Sequence, residues 1–291
     1  MTLRNPFDAP GRWVKANLHT HTTSSDGDKP LAQRVGQYRE AGYGVLAITD
    51  HDVAADAAGL SDEHLLIVNG IETHPDAPPP GTCYHLVCLN TPPGLEFGPD
   101  EDAQTRIDKA RAAGAEVVYA HPYWCGHHVG YLTGLSGYIG IEVFNATCRH
   151  IGKAYSSVPW DDLLMAGRLL PAVAVDDTHG DRDFHQGWTW LRLERLSAEA
   201  VLDSLRTGCF YGSCGPVIED FRVANGRATV HCSPVREIRL MVNACGGHAR
   251  RAAGDELTYA EMPLAVEHRY IRAEVVDAAG RHAWSNPIAL R

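Results

Sequence analysis

Two histidines and an aspartate fall within eight positions near the start of the chain, in the stretch from Asn17 to Gly27. His19 and His21 are two residues apart, and on an extended strand residues i and i+2 point to the same side. Both imidazoles can therefore reach one metal ion, with Asp26 close behind them. A single His-x-His pair is as common on a solvated loop. The interpretation therefore depends on whether ligand residues recur along the chain.

Short apolar runs alternate with helical patterns over the first two thirds of the chain. The apolar runs cover residues 44–49, 65–71, 83–89, 116–120, 139–144 and 169–175, and the helical patterns cover residues 30–42, 100–114 and 197–208. Such alternation predicts an α/β fold with a parallel sheet, and the number of units favours a barrel. A chain of 291 residues has room for a barrel plus a small appended module.

Residue types that commonly bind metals occur at or near the ends of these predicted strands. Together with the first three they are His19, His21, Asp26, His51, Glu72, His85, His121, Asp177 and His179. Nine nitrogen and oxygen ligands are too many for one zinc ion, and they suit two or three ions of the manganese, iron or zinc type. Each histidine alone is more often structural, but the whole set at successive strand ends predicts a metal site at the carboxyl edge of the sheet.

The sequence pattern changes near Cys214. Beyond it the apolar runs are short and alternating, at residues 218–223, 228–232, 238–242, 270–276 and 283–288, with turn signals between them. This pattern predicts a small antiparallel β module. We therefore expect a barrel domain over residues 1–214 and a small β-sandwich-like domain over residues 215–291.

Composition limits the classes of partner. The net charge of −10, from 26 basic and 36 acidic residues, disfavours non-specific binding to duplex nucleic acid or to an anionic membrane. We see no apolar run of about 18 residues and no signal-peptide core near the start. The eight cysteines form no C-x-x-C pair, and we expect them to be reduced. These features predict a cytoplasmic protein with a small-molecule substrate, and they do not set the oligomeric state.

The ligand residues occur in recognisable motifs. These are His19-Thr20-His21, Asp26-Gly27, Ile48-Thr49-Asp50-His51, Gly70-Ile71-Glu72, His85, Ala120-His121-Pro122 and Asp177-Thr178-His179. In this order, from about Asn17 to Gly212, the chain resembles the PHP (polymerase and histidinol phosphatase) superfamily. The resemblance implies a distorted (β/α)7 TIM-like barrel with a metal cluster at its carboxyl face, and hydrolysis of phosphate esters.

The same resemblance implies how the ligands divide among ions. His19, His21 and Asp177 would bind a first ion, and Glu72 would bridge it to a second. His85 and His121 would hold the second ion. The third ion would be held by Asp26, His51 and His179. Many members have histidine at the position of Asp26. The form with aspartate resembles the branch that contains small nucleotide phosphatases.

The end of the chain is similar to another branch of the superfamily. Asp177-Thr178-His179-Gly180, Gly187-Trp188-Thr189 and Trp284-Ser285-Asn286-Pro287-Ile288 resemble the branch named after bacterial carbaryl hydrolases. That branch often adds a small β domain. Its named members cleave an aryl carbamate, so a carbonyl substrate is an alternative to a phosphate.

Residues beyond the strand ends are candidates for substrate contacts. Cations that could bind phosphate oxygens are Arg149, Lys153 and Arg182. His150 and His185 could donate a proton to a leaving group. The rings of Tyr123, Trp124 and Trp188 could stack on an aromatic group. All of these residue types are also ordinary on surfaces and in cores.

Three functions are consistent with these observations. The first is a metal-dependent phosphoesterase for small phosphomonoesters or nucleotides, with a metal-bridging hydroxide as the nucleophile. The second is a carboxyl-ester or carbamate hydrolase that uses the same site. The third is a non-catalytic, metal-binding regulatory protein whose β module is a docking surface.

Overall fold

The computed structural model of the chain describes residues 3–254 and 256–290. Its first eleven strands are β1 (Arg12–Asn17), β2 (Val45–Ile48), β3 (Leu66–Thr73), β4 (Asp76–Ala77), β5 (Thr82–Cys83), β6 (Leu86–Leu89), β7 (Glu116–Tyr119), β8 (Gly140–Asn145), β9 (Ala172–Val175), β10 (Trp188–Leu193) and β11 (Phe210–Ser213). Seven of them, β1, β2, β3, β6, β7, β8 and β9, are hydrogen-bonded neighbours in that order. The strands β4 and β5 form a separate hairpin between β3 and β6.

The seven strands close into a barrel just beyond β1 and β9. Thr20 and Thr178 form a parallel bridge, and the backbone N–H of His21 donates to the carbonyl oxygen of Thr178 at 3.1 Å. The backbone N–H of Asp177 donates in turn to the carbonyl oxygen of His19 at 3.1 Å. The closure therefore joins the two segments that carry the first and last predicted ligands.

One barrel strand runs against the predicted direction. β6 pairs antiparallel with both β3 and β7, whereas the other neighbouring pairs among the seven strands are parallel. His85 directly precedes β6, and Leu86 pairs with Thr73 at the end of β3. Because β6 is reversed, its beginning lies at the same edge as the ends of its neighbours. His85 therefore stays at the ligand edge although it does not follow a strand.

The helices are α1 (Leu31–Glu40), α2 (Ala103–Ala112), α3 (Pro122–Cys125), α4 (Val129–Gly134), α5 (Ser157–Met165) and α6 (Ala198–Thr207), with 3-10 turns at Ala58–Leu60 and Thr147–Ile151. β2 shows why the strands are apolar throughout. Val45 and Ala47 pack in a cluster with residues of β1, β3 and β9, whereas Leu46 and Ile48 pack in another cluster with Val35 of α1. A strand that is buried on both faces needs this continuous apolar run.

The remaining strands form the C-terminal module: β12 (Ile218–Ala224), β13 (Arg227–Val235), β14 (Glu237–Val242), β15 (Gly247–Arg251), β16 (Leu257–Pro263), β17 (Tyr270–Val276), β18 (His282–Ser285) and β19 (Ile288–Ala289). One antiparallel sheet has the order β12-β13-β16, and β14, β15, β17, β18 and β19 extend the barrel's sheet. The predicted α/β fold with a C-terminal antiparallel sheet is confirmed. The prediction missed β15 and β16. Every residue of β15 is exposed, and β16 buries only Ala260 and Met262.

The module and the barrel share backbone pairing. β11 pairs with β10 on one side and with β18 on the other. The buried side chain of Asn286 accepts a hydrogen bond from the N–H of Ala172 at 2.9 Å and donates to the carbonyl oxygens of Gly208 and Phe210 at 3.1 and 2.9 Å. The boundary after residue 214 stays a prediction, and it lies directly after the strand that joins the two parts.

A group of buried ion pairs also crosses between the two parts; we call it the Arg272 network. Arg272 of β17 is fully buried and donates to both carboxylate oxygens of Asp161 in α5, at 2.9 and 2.8 Å. It also donates to Glu274 at 3.0 Å, and Glu274 pairs with Arg239 at 2.6 Å and with His282 at 2.9 Å. The charges of the network therefore neutralise one another inside the protein.

None of the described helices has the length and apolar character needed to cross a membrane. All eight cysteines lie within the described residues and are free, and five of them are buried. Burial raises the pKa of the Cys88 thiol to about 12, which keeps it neutral. The five buried cysteines thus pack as small apolar residues.

Candidate metal centre

The structure brings all nine predicted ligands together at the carboxyl edge of the barrel; we call them the ligand cluster. Their side-chain nitrogen and oxygen atoms fall into overlapping groups whose members lie within 4.8 Å of one another. These groups are His19, His21, Glu72 and Asp177; His51, Glu72 and His85; His21, Asp26, His51 and His179; and His19, His121 and Glu142. Because the groups share residues, the cluster could hold more than one ion.

The first group is the most buried. Nε2 of His19 lies 3.0 Å from Oε2 of Glu72 and 3.2 Å from Oδ1 of Asp177. Nε2 of His21 lies 3.2 Å and 3.0 Å from the same two oxygens. Both nitrogens and Oδ1 of Asp177 are buried without a hydrogen-bond partner among the described residues. Such buried atoms are costly, and a cation between them would satisfy all of them at once.

Glu72 connects the first group to the second. Its Oε2 faces His19 and His21, and its Oε1 lies 2.8 Å from Nδ1 of His85 and 3.3 Å from Nε2 of His121. Oε2 also lies 3.1 Å from Nδ1 of His51, another buried atom without a hydrogen-bond partner in the described structure. A carboxylate with histidines around both oxygens is suited to bridging two ions.

The third group is closer to solvent. Oδ2 of Asp26 lies 3.2 Å from Nε2 of His179 and 3.7 Å from Nε2 of His51, and Oδ1 lies 3.6 Å from Nδ1 of His21. The Asp26 side chain is 54% exposed, whereas those of Glu72 and Asp177 are almost fully buried. A third ion would therefore be the most accessible one.

The protonation states show how the cluster behaves without metal. Burial opposes the charge of Asp177, but His19 and His21 hold its pKa well below the ordinary value. Burial likewise opposes the charge of His21 and His85, yet the neighbouring carboxylates raise their pKa values to about 9 and about 10. These raised pKa values favour protonated imidazoles beside the carboxylates. Metal binding requires neutral imidazoles and would release these protons.

Glu142 is a functional residue that the sequence prediction missed. It is buried in β8 and accepts hydrogen bonds from Nδ1 of His19 at 2.7 Å, from the backbone N–H of His121 at 2.9 Å and from Asn145 at 2.9 Å. The contact with Nδ1 directs Nε2 of His19 toward Glu72 and Asp177. A charged residue within the apolar run Gly140–Asn145 was the available signal, because a buried charge requires a partner.

Two further buried residues fix the loops that carry ligands. Asp50 accepts hydrogen bonds from the backbone and hydroxyl groups of Thr22 at 2.7 and 2.8 Å and from Ser25 at 2.8 Å. Arg34 of α1 donates to the carbonyl oxygens of His21 and His179, both at 3.2 Å. These contacts hold the ligand backbone in place before any ion binds.

A small cavity opens onto the cluster. It has a volume of about 170 Å³ and is lined by Asp26, His51, Glu72, His85, His121, Trp124, Thr147, Cys148, Asp177 and His179. Seven of these residues are predicted ligands, so a molecule in the cavity would meet the ions directly. Beside the cavity, the ring of His74 stacks on that of His51 at 5.0 Å and its Nδ1 lies 2.9 Å from Asp52. The sequence prediction missed this pair.

The predicted phosphate-binding cations lie outside the cavity lining. Arg149 donates to Gln186 at 2.9 Å and to the carbonyl oxygen of Arg182 at 3.1 Å, and the side chain of Arg182 is 70% exposed. Nζ of Lys153 lies 3.4 Å from the carbonyl oxygen of Trp124, which is one of the lining residues. Their contact with substrate stays a prediction.

The two predicted proton donors occupy different surroundings. Nε2 of His150 lies 2.9 Å from Oδ1 of the buried Asp183, whose Oδ2 accepts hydrogen bonds from the backbone N–H groups of His179 and Gly180 at 3.3 and 3.2 Å. His150 is thus tied to the loop that carries a ligand. His185 instead has its Nε2 3.2 Å from Nζ of Lys15. Its ring packs against Tyr43 and Trp188, so the described contacts place it away from the cavity.

Known proteins match this chain in structure. A two-domain protein of Bacteroides vulgatus, containing a predicted PHP-like metal-dependent phosphoesterase, matches it over 95% of this chain and 94% of that chain, with a TM-score of 0.56 and 16% identity. The chain has a PHP-like fold. An amidohydrolase of Chromobacterium violaceum with bound sulfate and no metal matches over 57% of this chain and 88% of that chain, with a TM-score of 0.44 and 16% identity. No protein-family model and no curated protein sequence matches the chain.

Proposed function

We propose that the chain is a metal-dependent hydrolase that cleaves small phosphate esters. The observation that carries this proposal is the set of buried, unpartnered nitrogen and oxygen atoms of His19, His21, His51 and Asp177 around the carboxylate of Glu72. His51, Glu72 and Asp177 of this set line a cavity that admits a small molecule. The two-domain structure with the same fold contains a predicted phosphoesterase, which agrees with this reaction.

The donor set fits divalent transition metals. Imidazole and carboxylate ligands suit manganese, iron and zinc, and we propose that two or three such ions bind. When bound, the ions would act as Lewis acids that activate water and neutralise charge on the phosphate oxygens. Glu72 and Asp177 would offset part of the ionic charge, and Glu142 would hold the His19 ring in its ligating orientation.

Hydrogen bonds within the chain position a histidine beside the loop that carries His179. Asp183 holds His150 by one oxygen and the backbone of His179 by the other. This arrangement keeps the His150 ring at a fixed distance from the ligand loop. We propose His150 as the proton donor to the leaving oxygen, because its contact is with this loop whereas that of His185 is with Lys15.

One observation favours a second candidate, the hydrolysis of a carboxyl ester or carbamate. Among the described residues, no lysine or arginine lines the cavity. A phosphate dianion would therefore depend on the ions for its charge balance, whereas a neutral ester has no charge to balance. The same ligand cluster could serve both reactions, because a Lewis acid polarises carbonyl and phosphoryl oxygens alike.

The test uses one protein sample and two substrates. Protein purified without added metal is analysed for its elements and assayed with p-nitrophenyl phosphate and naphthyl acetate. We expect two to three ions per chain and phosphatase activity that is lost after chelation and restored by manganese or zinc. Rapid cleavage of naphthyl acetate with no phosphatase activity would favour the second candidate. Bound metal without turnover of either substrate would contradict both and favour the regulatory alternative.

A further inference from the structure

The cavity has few residues besides the ligands to recognise a leaving group. Of its ten lining residues, Trp124, Thr147 and Cys148 are the three outside the ligand cluster. The hydroxyl of Thr147 donates to the carbonyl oxygen of Asp177 at 2.5 Å, so its proton is already used. Burial raises the pKa of the Cys148 thiol, which stays neutral. These walls therefore offer uncharged, mostly apolar contacts beside the ions.

Trp124 provides most of the aromatic surface of these walls. It follows His121 by three residues in the short helix α3, so the helical turn brings it next to that ligand. Its ring packs perpendicular to those of His85 and His121, with centroids 5.4 and 5.1 Å apart and interplanar angles of 75° and 79°. The residue remains 39% exposed. Part of the indole is thus fixed against two ligands while another part stays open.

The helix that carries Trp124 is anchored at both ends. The N–H of Tyr123 donates to the hydroxyl of Ser156 at 3.2 Å. The carbonyl oxygen of Trp124 lies 3.4 Å from Nζ of Lys153, and Sγ of Cys125 lies 3.5 Å from Nδ1 of His121. The indole therefore has a set position before a substrate enters.

We propose that Trp124 is a specificity-determining residue that contacts the leaving group and selects small esters with an aromatic leaving group. This inference rests on the proposed function, because it assumes that the ions hold the reacting phosphoryl group. The leaving group then lies against the cavity wall, where an indole ring favours a flat aromatic partner. The volume of about 170 Å³, below the roughly 300 Å³ of pockets for larger ligands, restricts that partner to a compact ring.

Binding of two phosphonates, which are not hydrolysed, tests this inference without turnover. Calorimetry would compare phenylphosphonate with methylphosphonate on zinc-loaded wild-type protein and on the Trp124→Ala and Trp124→Phe variants. We expect wild-type protein to bind phenylphosphonate about 10-fold more tightly than methylphosphonate, since an aromatic pair contributes about 2- to 10-fold beyond the buried area. Trp124→Ala should lose most of this preference, because its affinity for phenylphosphonate should fall about 10-fold further than its affinity for methylphosphonate. Trp124→Phe should keep much of it.

Controls separate selectivity from folding and metal loss. Elemental analysis and thermal unfolding of each variant show whether the ions and the fold are retained, and Trp124→Phe keeps a ring should Trp124→Ala fold poorly. Tyr259→Ala, which removes an aromatic ring from the C-terminal module, should keep the wild-type preference. Equal binding of both phosphonates to wild-type protein, or an unchanged preference in Trp124→Ala, would overturn the inference alone. No binding of either phosphonate to the zinc-loaded protein would contradict both the inference and the proposed phosphoesterase.

Discussion

The ligand cluster and the Arg272 network both bury charged side chains, but they satisfy them differently. In the network, Arg272, Asp161 and Glu274 each pair with groups of opposite charge at 2.8 to 3.0 Å. In the ligand cluster, His19, His21 and Asp177 each leave a buried atom without a hydrogen-bond partner among the described residues. Buried charges that the chain itself neutralises serve the fold. Buried ligand-type atoms that lack a hydrogen-bond partner are consistent with a site for metal ions.

The two regions also differ in how they would respond to damage. Removal of a carboxylate from the network leaves a buried arginine that does not lose its proton, and removal of Arg272 leaves carboxylates that must take up a proton to become neutral. Removal of a carboxylate from the ligand cluster leaves histidines, which can lose theirs. We therefore expect the network to control stability and the ligand cluster to control metal content and activity.

The largest effect should follow Asp177→Asn. The variant removes a charge that would face the first ion, so we expect fewer ions per chain and a loss of turnover of about three orders of magnitude. It should still fold without metal, because His19 and His21 can become neutral. Elemental analysis, turnover of p-nitrophenyl phosphate and thermal unfolding measure the three outcomes.

Asp181→Asn is the matched control, because Asp181 is a 70% exposed carboxylate four residues away that pairs with Lys29. It should change neither metal content nor turnover. If Asp177→Asn bound fewer ions but kept wild-type turnover, the claim that the ligand cluster controls activity would be contradicted.

Arg272→Met should have the next largest effect. It removes the arginine from Asp161, which is 31% exposed, and leaves Glu274 with Arg239 and His282. Breaking a buried pair of this kind costs up to about 3–5 kcal/mol of unfolding free energy. We expect a fall in Tm on the order of 10 °C, with metal content and turnover below the Tm unchanged. Arg250→Met, on the exposed strand β15, should leave Tm within about 1 °C of wild type. Loss of metal in folded Arg272→Met would show that the two regions are coupled.

Glu142→Gln should weaken metal binding without preventing it. The amide keeps an oxygen that can accept from Nδ1 of His19 but loses the negative charge, and such changes behind a ligand cost about 10- to 100-fold in metal affinity. Competition with a chelator would measure the affinity. At saturating metal the variant should regain the wild-type number of ions. A permanently lower number would mean that Glu142 is itself a ligand.

The smallest effect concerns pH and the Arg272 network. Burial opposes ionisation of Glu274, but His282 and Arg272 lower its pKa to about 2, from an ordinary value of 4.5. A carboxylate with a depressed pKa stabilises the fold above the ordinary value and loses this contribution as the pH falls toward the depressed one. The stability difference between wild type and Glu274→Gln should therefore be constant above pH 5 and shrink between pH 4.5 and 2. Urea unfolding at several pH values would detect a difference that stays constant instead.

The sequence predicted which residues lie together at the barrel edge, because each is a chemically distinctive residue near an apolar run. Their role as metal ligands stays a prediction. The reversed direction of β6 was not predictable in this way, since a short apolar run such as Leu86–Leu89 reads alike in both directions. The partners of Arg272 were also not predictable, because Asp161 lies 111 residues away in sequence. Likewise, Arg149 and Arg182 follow strand ends, but their side chains turn toward Gln186 and toward solvent.

The central claim is that the ligand cluster binds metal ions, and elemental analysis of stripped and reloaded protein tests it most directly. Wild-type protein and Asp177→Asn would be stripped with a chelator, incubated with excess zinc or manganese, and desalted before analysis. We predict two or three ions per wild-type chain and fewer in the variant. No retained ion in wild-type protein, or equal numbers in both proteins, would contradict the account.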